Sequence, residues 1–161
     1  MIEHLHNHLL GLIHVLNALA ALLFGALVIF ARKGTPFHRR MGRWYFAFML
    51  AMNGTALLDY ELYGRFGPFH WMALISLATV VAGYMAARNR KAYWKPRHAY
   101  LMSWSYVGLI AAAAAEVASR VPGWSFGPSV VVSSLVIIVT GGLMMHRWIP
   151  HIIGGSLKGG G

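Results

Sequence analysis

The chain lacks cysteine and is poor in acidic residues. The absence of cysteine from all 161 residues excludes disulfide bonds, thiolate metal sites and cysteine nucleophiles. Only four residues are Asp or Glu, and charged residues make up 11% of the chain. Hydrophobic residues make up 58%, and the mean hydropathy is +0.56, which is more apolar surface than a soluble domain of this length can bury. The composition therefore predicts an integral membrane protein.

Five apolar stretches predict five membrane spans. Each stretch, with its flanking residues, reaches the roughly 20 residues that a span needs, and a backbone in lipid must form its hydrogen bonds within a helix. The stretches are residues 9–30, 44–58, 71–87, 99–115 and 128–145. The second is the shortest, and we expect its helix to cover about residues 36–63. Because short loops make consecutive helices antiparallel neighbours, the sequence predicts an all-α fold with an up-down four-helix bundle plus a fifth helix.

The basic residues predict the orientation of the chain. Twelve of the fourteen Lys and Arg residues fall on one side of the predicted spans, and only Arg65 and Arg120 fall on the other. This positive-inside pattern places the N-terminus outside and the C-terminus in the cytoplasm, as in a bacterial-type inner membrane. The first span has no basic segment before it, so we expect it to remain as a helix rather than be cleaved as a signal peptide.

The same charge distribution indicates what the chain binds. Short basic loops beside membrane spans fit anionic lipid headgroups, so we expect membrane lipids as partners and no nucleic acid. Residues 1–150 form a single transmembrane domain in this interpretation. Residues 151–161 are rich in glycine and are expected to form a flexible tail.

Histidines near the ends of the spans are the candidate functional residues. The pattern Pro-x-His occurs three times where a helix is expected to begin, at residues 36–38, 68–70 and 96–98, and proline suits the first helical turn. A fourth histidine lies inside the first span. In the predicted topology His14 and His70 lie toward the outer face and His38 and His98 toward the inner face, so each pair spans one diagonal of the bundle.

Two diagonal histidine pairs predict a protein that binds two b-type haems and transfers electrons across the bilayer. Each haem iron takes two axial imidazoles, so His14, His38, His70 and His98 are the candidate cofactor ligands. Basic side chains near the inner pair are candidate partners of haem propionates: Arg39, Arg40, Arg43 and Arg97. Architecturally this arrangement resembles the ascorbate-reducible two-haem cytochrome b proteins.

Two other interpretations remain open. Imidazole and carboxylate ligands suit zinc or copper, and His14, His70 and Glu116 are candidates for such a site on the outer face. Glu116 is a functional candidate because an ionisable side chain inside a span is costly, although it also stands one helical turn before Arg120 and can pair with it. The third interpretation is an accessory or structural subunit of a larger membrane complex, or a homo-oligomer, without a cofactor. Whether the protein is an enzyme stays open.

Three motifs resemble a family of membrane proteins of unknown function. Residues 34–42 resemble the Gly-x-x-x-His-Arg-x-x-Gly loop of the DUF2306 family, and residues 67–70 resemble its outer Phe-His motif. His98, followed by Met102 and Tyr106, resembles its third histidine motif. The resemblance covers roughly residues 8–120. It implies a multi-span helical fold and the same histidines as site residues, and it implies no particular activity.

Overall fold

The computed structural model describes the backbone of residues 2–60 and 64–158, and the side chains of residues 8–60, 64–67 and 69–152. In these residues the chain forms helices and no strands. The helices are α1 (Ile2–Phe30), α2 (Pro36–Leu58), α3 (Pro68–Asn89), α4 (Trp94–Ala118) and α5 (Phe126–Lys158). The prediction of an all-α fold is confirmed.

Four of these helices are long and apolar enough to cross a membrane. Their apolar segments are His8–Phe30, Phe69–Asn89, Trp94–Ala118 and Phe126–Ile152. The surface of α1 is typical of a lipid-facing helix, since Leu12, Leu16 and Leu23 are each more than half exposed. The protein is therefore a helical membrane protein.

Helix α2, the second of the five predicted spans, does not share this apolar character. The helix has 23 residues, roughly 35 Å at about 1.5 Å per residue, so its length matches a bilayer core of about 30 Å. Its first two turns carry Arg39, Arg40 and Arg43, which lower its hydropathy. The prediction of five transmembrane helices is not confirmed, and the orientation of the termini, which depends on an odd number of spans, stays a prediction.

Each Pro-x-His motif has its proline in the first turn of a helix, as predicted. Pro36 and Pro68 are the first residues of α2 and α3, while α4 begins two residues before Pro96. The Oγ1 atom of Thr35 accepts a hydrogen bond from the backbone N–H of His38 at 3.2 Å and so caps α2. Consequently His38 and His70 are third in their helices, whereas His98 is fifth and lies about half a turn further in.

The chain divides into two compact units, residues 1–80 and 81–161. In the first unit α1 packs against α2. Ala21 of α1 is fully buried, as is Met49 of α2, and the rings of Phe24 and Phe48 stack with centroids 5.3 Å apart. A small residue in α1 thus lets the two helices approach closely, which is how helices associate in lipid.

In the second unit α4 packs against α5 through glycine. A Cβ placed on Gly141 would lie 2.7 Å from Cγ2 of Val107 and 2.8 Å from its Cγ1. A Cβ placed on Gly142 would lie 3.3 Å from the ring of Trp104. The missing side chains therefore allow the two helices to touch.

The C-terminal segment is helical in its described part, and its flexibility stays a prediction. Helix α5 continues through Lys158, past Pro150 and into the glycine-rich segment. The apolar residues Ile152 and Ile153 extend the hydrophobic pattern beyond residue 145, where the predicted span ended. Residues 159–161 lie outside the described part of the chain.

Candidate histidine sites

His14 joins α1 to α2 through one ring nitrogen. Its Nδ1 atom lies 2.9 Å from Oγ1 of Thr55 and 3.2 Å from the carbonyl oxygen of Met52. The Thr55 hydroxyl donates its own hydrogen to backbone carbonyls of α2, with Met52 at 2.8 Å and Ala51 at 3.1 Å. The Met52 carbonyl oxygen can only accept, so we assign the proton of the neutral ring to Nδ1 and its lone pair to Nε2.

His98 is held in the same way between α3 and α4. Its Nδ1 atom lies 2.9 Å from the carbonyl oxygen of Gly83. A carbonyl oxygen only accepts, so Nδ1 is again the protonated nitrogen and Nε2 carries the lone pair. Gly83 allows this contact because a Cβ there would lie 2.8 Å from Sδ of Met102 and 3.1 Å from Cβ of Leu101.

His70 has the opposite hydrogen-bonding pattern. The backbone N–H of Gly67 donates to Nδ1 of His70 at 3.2 Å, so Nδ1 is unprotonated and Nε2 carries the hydrogen. A side chain at the third helical position that accepts from the residue before the helix is the geometry of a capping box. The side chain is 3% exposed. The centroid of its ring lies 4.6 Å from that of Tyr60 and 4.7 Å from that of Phe66. Its Nε2 atom is buried and has no hydrogen-bond partner among the described residues.

His38 is half-buried at the start of α2, and its backbone N–H is capped by Thr35. His14, His38 and His70 belong to the first unit and His98 to the second. The diagonal pairing of His38 with His98, like that of His14 with His70, stays a prediction.

Glu116, the carboxylate of the predicted zinc or copper site, lies at the end of α4. Its side chain is 61% exposed and forms an ion pair with Arg120, four residues later. The Arg120 guanidinium also donates to the backbone carbonyl of Glu116 at 3.0 Å. In the described part of the chain, no three His, Cys, Asp or Glu side chains are grouped as metal ligands. Glu116 therefore forms the ion pair with Arg120 that the sequence analysis gave as the alternative to a metal ligand.

The partners of His14 and His98 could not be found by inspecting the sequence for reactive residues. Two are backbone carbonyls, at Met52 and Gly83, and a backbone group leaves no signature in residue type. The third is Thr55, which resembles any other small polar residue in a helix. The only sequence signal is Gly83 itself, since glycine in a helix interior indicates a close approach of another element.

These observations define a helical membrane protein with histidines near the helix ends. The chain belongs to the DUF2306 family of predicted membrane proteins, whose model matches residues 11–153. The match extends the resemblance of residues 8–120 through most of α5. No curated protein and no solved structure matches the chain.

Proposed function

We propose that the protein is a small membrane redox protein that holds two b-type haems, one through Nε2 of His14 and the other through Nε2 of His98. The supporting observation is that both rings donate Nδ1–H to fixed acceptors on a neighbouring helix. Histidines that ligate metals characteristically donate their second ring nitrogen to such an acceptor, which fixes the tautomer and the ring orientation. The two side chains have the protonation pattern that an iron ligand requires.

The donor set of the chain fits haem better than a bare metal ion. A bis-imidazole haem takes only two protein ligands, because the macrocycle supplies the other four donors, whereas a zinc site usually takes three or four. The described residues offer separate histidines rather than a group of three or more ligands. A bound haem would supply one-electron chemistry, and His14 and His98 would each orient one haem.

His70 fits the role of an axial ligand less well than His14. Its Nε2 carries the hydrogen while Nδ1 accepts from Gly67. To ligate iron through Nε2, the ring would have to move its proton to Nδ1 and lose the Gly67 hydrogen bond. We therefore place His14 and His98 first, and keep His38 and His70 as the candidate second ligands that the predicted topology supplies.

Optical spectroscopy tests this proposal. The full chain is expressed with ample haem and purified in detergent, and its absorption is recorded oxidised and after dithionite. We expect a Soret band, sharp reduced α-bands and two haems per chain, with His14→Ala and His98→Ala each losing one. His146→Ala is the matched control, because His146 is an exposed histidine of α5. A colourless wild-type protein, or unchanged haem in both variants, would refute the proposal.

A structural role is the second candidate, because the same hydrogen bonds tie α1 to α2 and α3 to α4. In that case His14→Ala and His98→Ala lower the stability of a protein that has no cofactor, and the protein co-purifies with a larger complex. Metal analysis of the same sample tests the zinc or copper alternative. Stoichiometric metal that is lost in both His14→Ala and Glu116→Gln would favour that site over haem.

A further inference from the structure

A cleft of about 300 Å³ lies where α3 turns into α4, within the second unit. One part of its lining is apolar and the other part is basic. The apolar wall includes Met85, Ala86, Leu101 and the ring of Trp94, and the basic side chains are Lys91 and Arg97. The cleft thus offers hydrocarbon contact and positive charge within one small volume.

The positive charge of this cleft is not neutralised by the second unit. Residues 81–161 contain a single acidic residue, Glu116, and that carboxylate is already paired with Arg120. Lys91 and Arg97 are both exposed, so their charges are available to a ligand. An anion is therefore the charge-complementary occupant.

Trp94 forms one wall of the cleft at the first residue of α4. The guanidinium carbon of Arg90 lies over the indole ring, 5.7 Å from its centroid, in a cation–π arrangement. Tryptophan near the end of an apolar helix is typical of the membrane–water interface. The cleft accordingly lies where a phosphate and an acyl chain of one lipid meet.

We propose that this cleft binds one anionic phospholipid. The phosphate lies between Lys91 and Arg97, and an acyl chain lies along Met85 and Leu101. A free phosphate ion would make no contact with the apolar wall. A zwitterionic lipid carries no net negative charge, so its electrostatic attraction to Lys91 and Arg97 would be weaker than that of an anionic lipid. Basic pockets between membrane helices bind anionic headgroups by the same combination of charge and shape. The proposal does not require a bound haem, although Arg97 is also a candidate partner of a haem propionate.

Quenching of Trp94 fluorescence by brominated lipids tests the site. The full chain is placed in nanodiscs that contain phosphatidylglycerol or phosphatidylcholine with brominated acyl chains at equal mole fraction. The chain has six tryptophans, so the quenching of Trp94 is obtained as the difference in fluorescence quenching between the wild type and Trp94→Phe. We expect a preference of roughly 30-fold for the anionic lipid, the value that two basic side chains near a headgroup supply. Bromine on the acyl chain makes the signal specific for lipid rather than free phosphate.

Charge variants localise the site. We expect Lys91→Gln with Arg97→Gln to abolish the preference. The matched control is Arg39→Gln with Arg40→Gln, which removes the same charge from two exposed residues of α2 and should keep the preference. Three results would each overturn the proposal: equal quenching by both lipids, an equal loss in the control, or quenching that Trp94→Phe does not change.

Discussion

The contact between Gly141 and Val107 makes a sharp prediction about the packing of α4 and α5. Replacing Gly141 with alanine places a Cβ 2.7 Å and 2.8 Å from the two methyl carbons of Val107 and 3.3 Å from its Cβ. Ordinary contacts lie at 3.4–4 Å. Valine in a helix has essentially one χ1 rotamer, so the methyl groups cannot swing away and the helices must separate.

The magnitude follows from two opposing effects. Overpacking a close contact costs about 1–3 kcal/mol, and the rigidity of Val107 favours the upper part of that range. Alanine is the better helix former by about 1 kcal/mol. The net expectation for Gly141→Ala is a destabilisation of about 1–2 kcal/mol.

Reversible unfolding in mixed detergent micelles, followed by circular dichroism, measures this change in the free energy of unfolding. The matched control is Gly108→Ala, a helical glycine of α4 whose added Cβ would meet nothing within 4 Å, and we expect it to stabilise by up to about 1 kcal/mol. Val107→Ala in the Gly141→Ala background removes the two close methyl groups, so we expect favourable coupling of at least ~1 kcal/mol in the double-mutant cycle. If Gly141→Ala stabilises as much as Gly108→Ala, the packing argument is refuted.

Three further predictions concern the polar side chains. His70→Gln and His70→Ala both lose the ring contacts with Tyr60 and Phe66, but only His70→Gln keeps an acceptor for the Gly67 N–H. We therefore expect His70→Ala to be less stable than His70→Gln by about 1 kcal/mol; equal losses in the same titration would contradict a capping role. Thr55→Val removes the hydroxyl but leaves the Met52 carbonyl as an acceptor for the Nδ1–H of His14. We expect the free energy of unfolding to fall by about 0.5–1.5 kcal/mol and the haem absorption to stay unchanged. A full loss of haem would show that the hydroxyl itself is needed. Burial lowers the pKa of Lys33, so between that lowered pKa and the ordinary lysine pKa of about 10.4 the unfolded chain binds more protons than the folded chain. The free energy of unfolding should therefore rise with pH across this range. Melting temperatures of Lys33→Met should lack that rise, and an unchanged rise would assign it to another group.

The apolar stretches predicted where four of the membrane segments lie, because hydropathy reports directly on lipid exposure. They did not predict the full helices. Helices α1 and α4 begin with polar or basic residues outside those stretches, at residues 2–8 and 94–98, whereas the start of α2 at Pro36 was expected. Hydropathy cannot detect such turns, since a helix end at the membrane surface is stabilised by capping and by water rather than by lipid.

The candidate site was predictable in its residues and only partly in its chemistry. The i,i+4 spacing of Glu116 and Arg120 correctly allowed their ion pair, because both partners lie on one helix face. The tautomers of His14 and His98 could not be derived from the sequence. They depend on acceptors 38 to 41 and 15 residues away in the chain, which only helix packing brings to the imidazole.

The hydrogen bond from His98 to Gly83 has a consequence for how the protein tolerates mutation. Its acceptor is a carbonyl of the peptide backbone, which every amino acid possesses, so no replacement at position 83 deletes the acceptor itself. What a replacement changes is the volume at that position, and through it the distance between α3 and α4. Mutational screening at this position should therefore rank apolar substitutions by side-chain size.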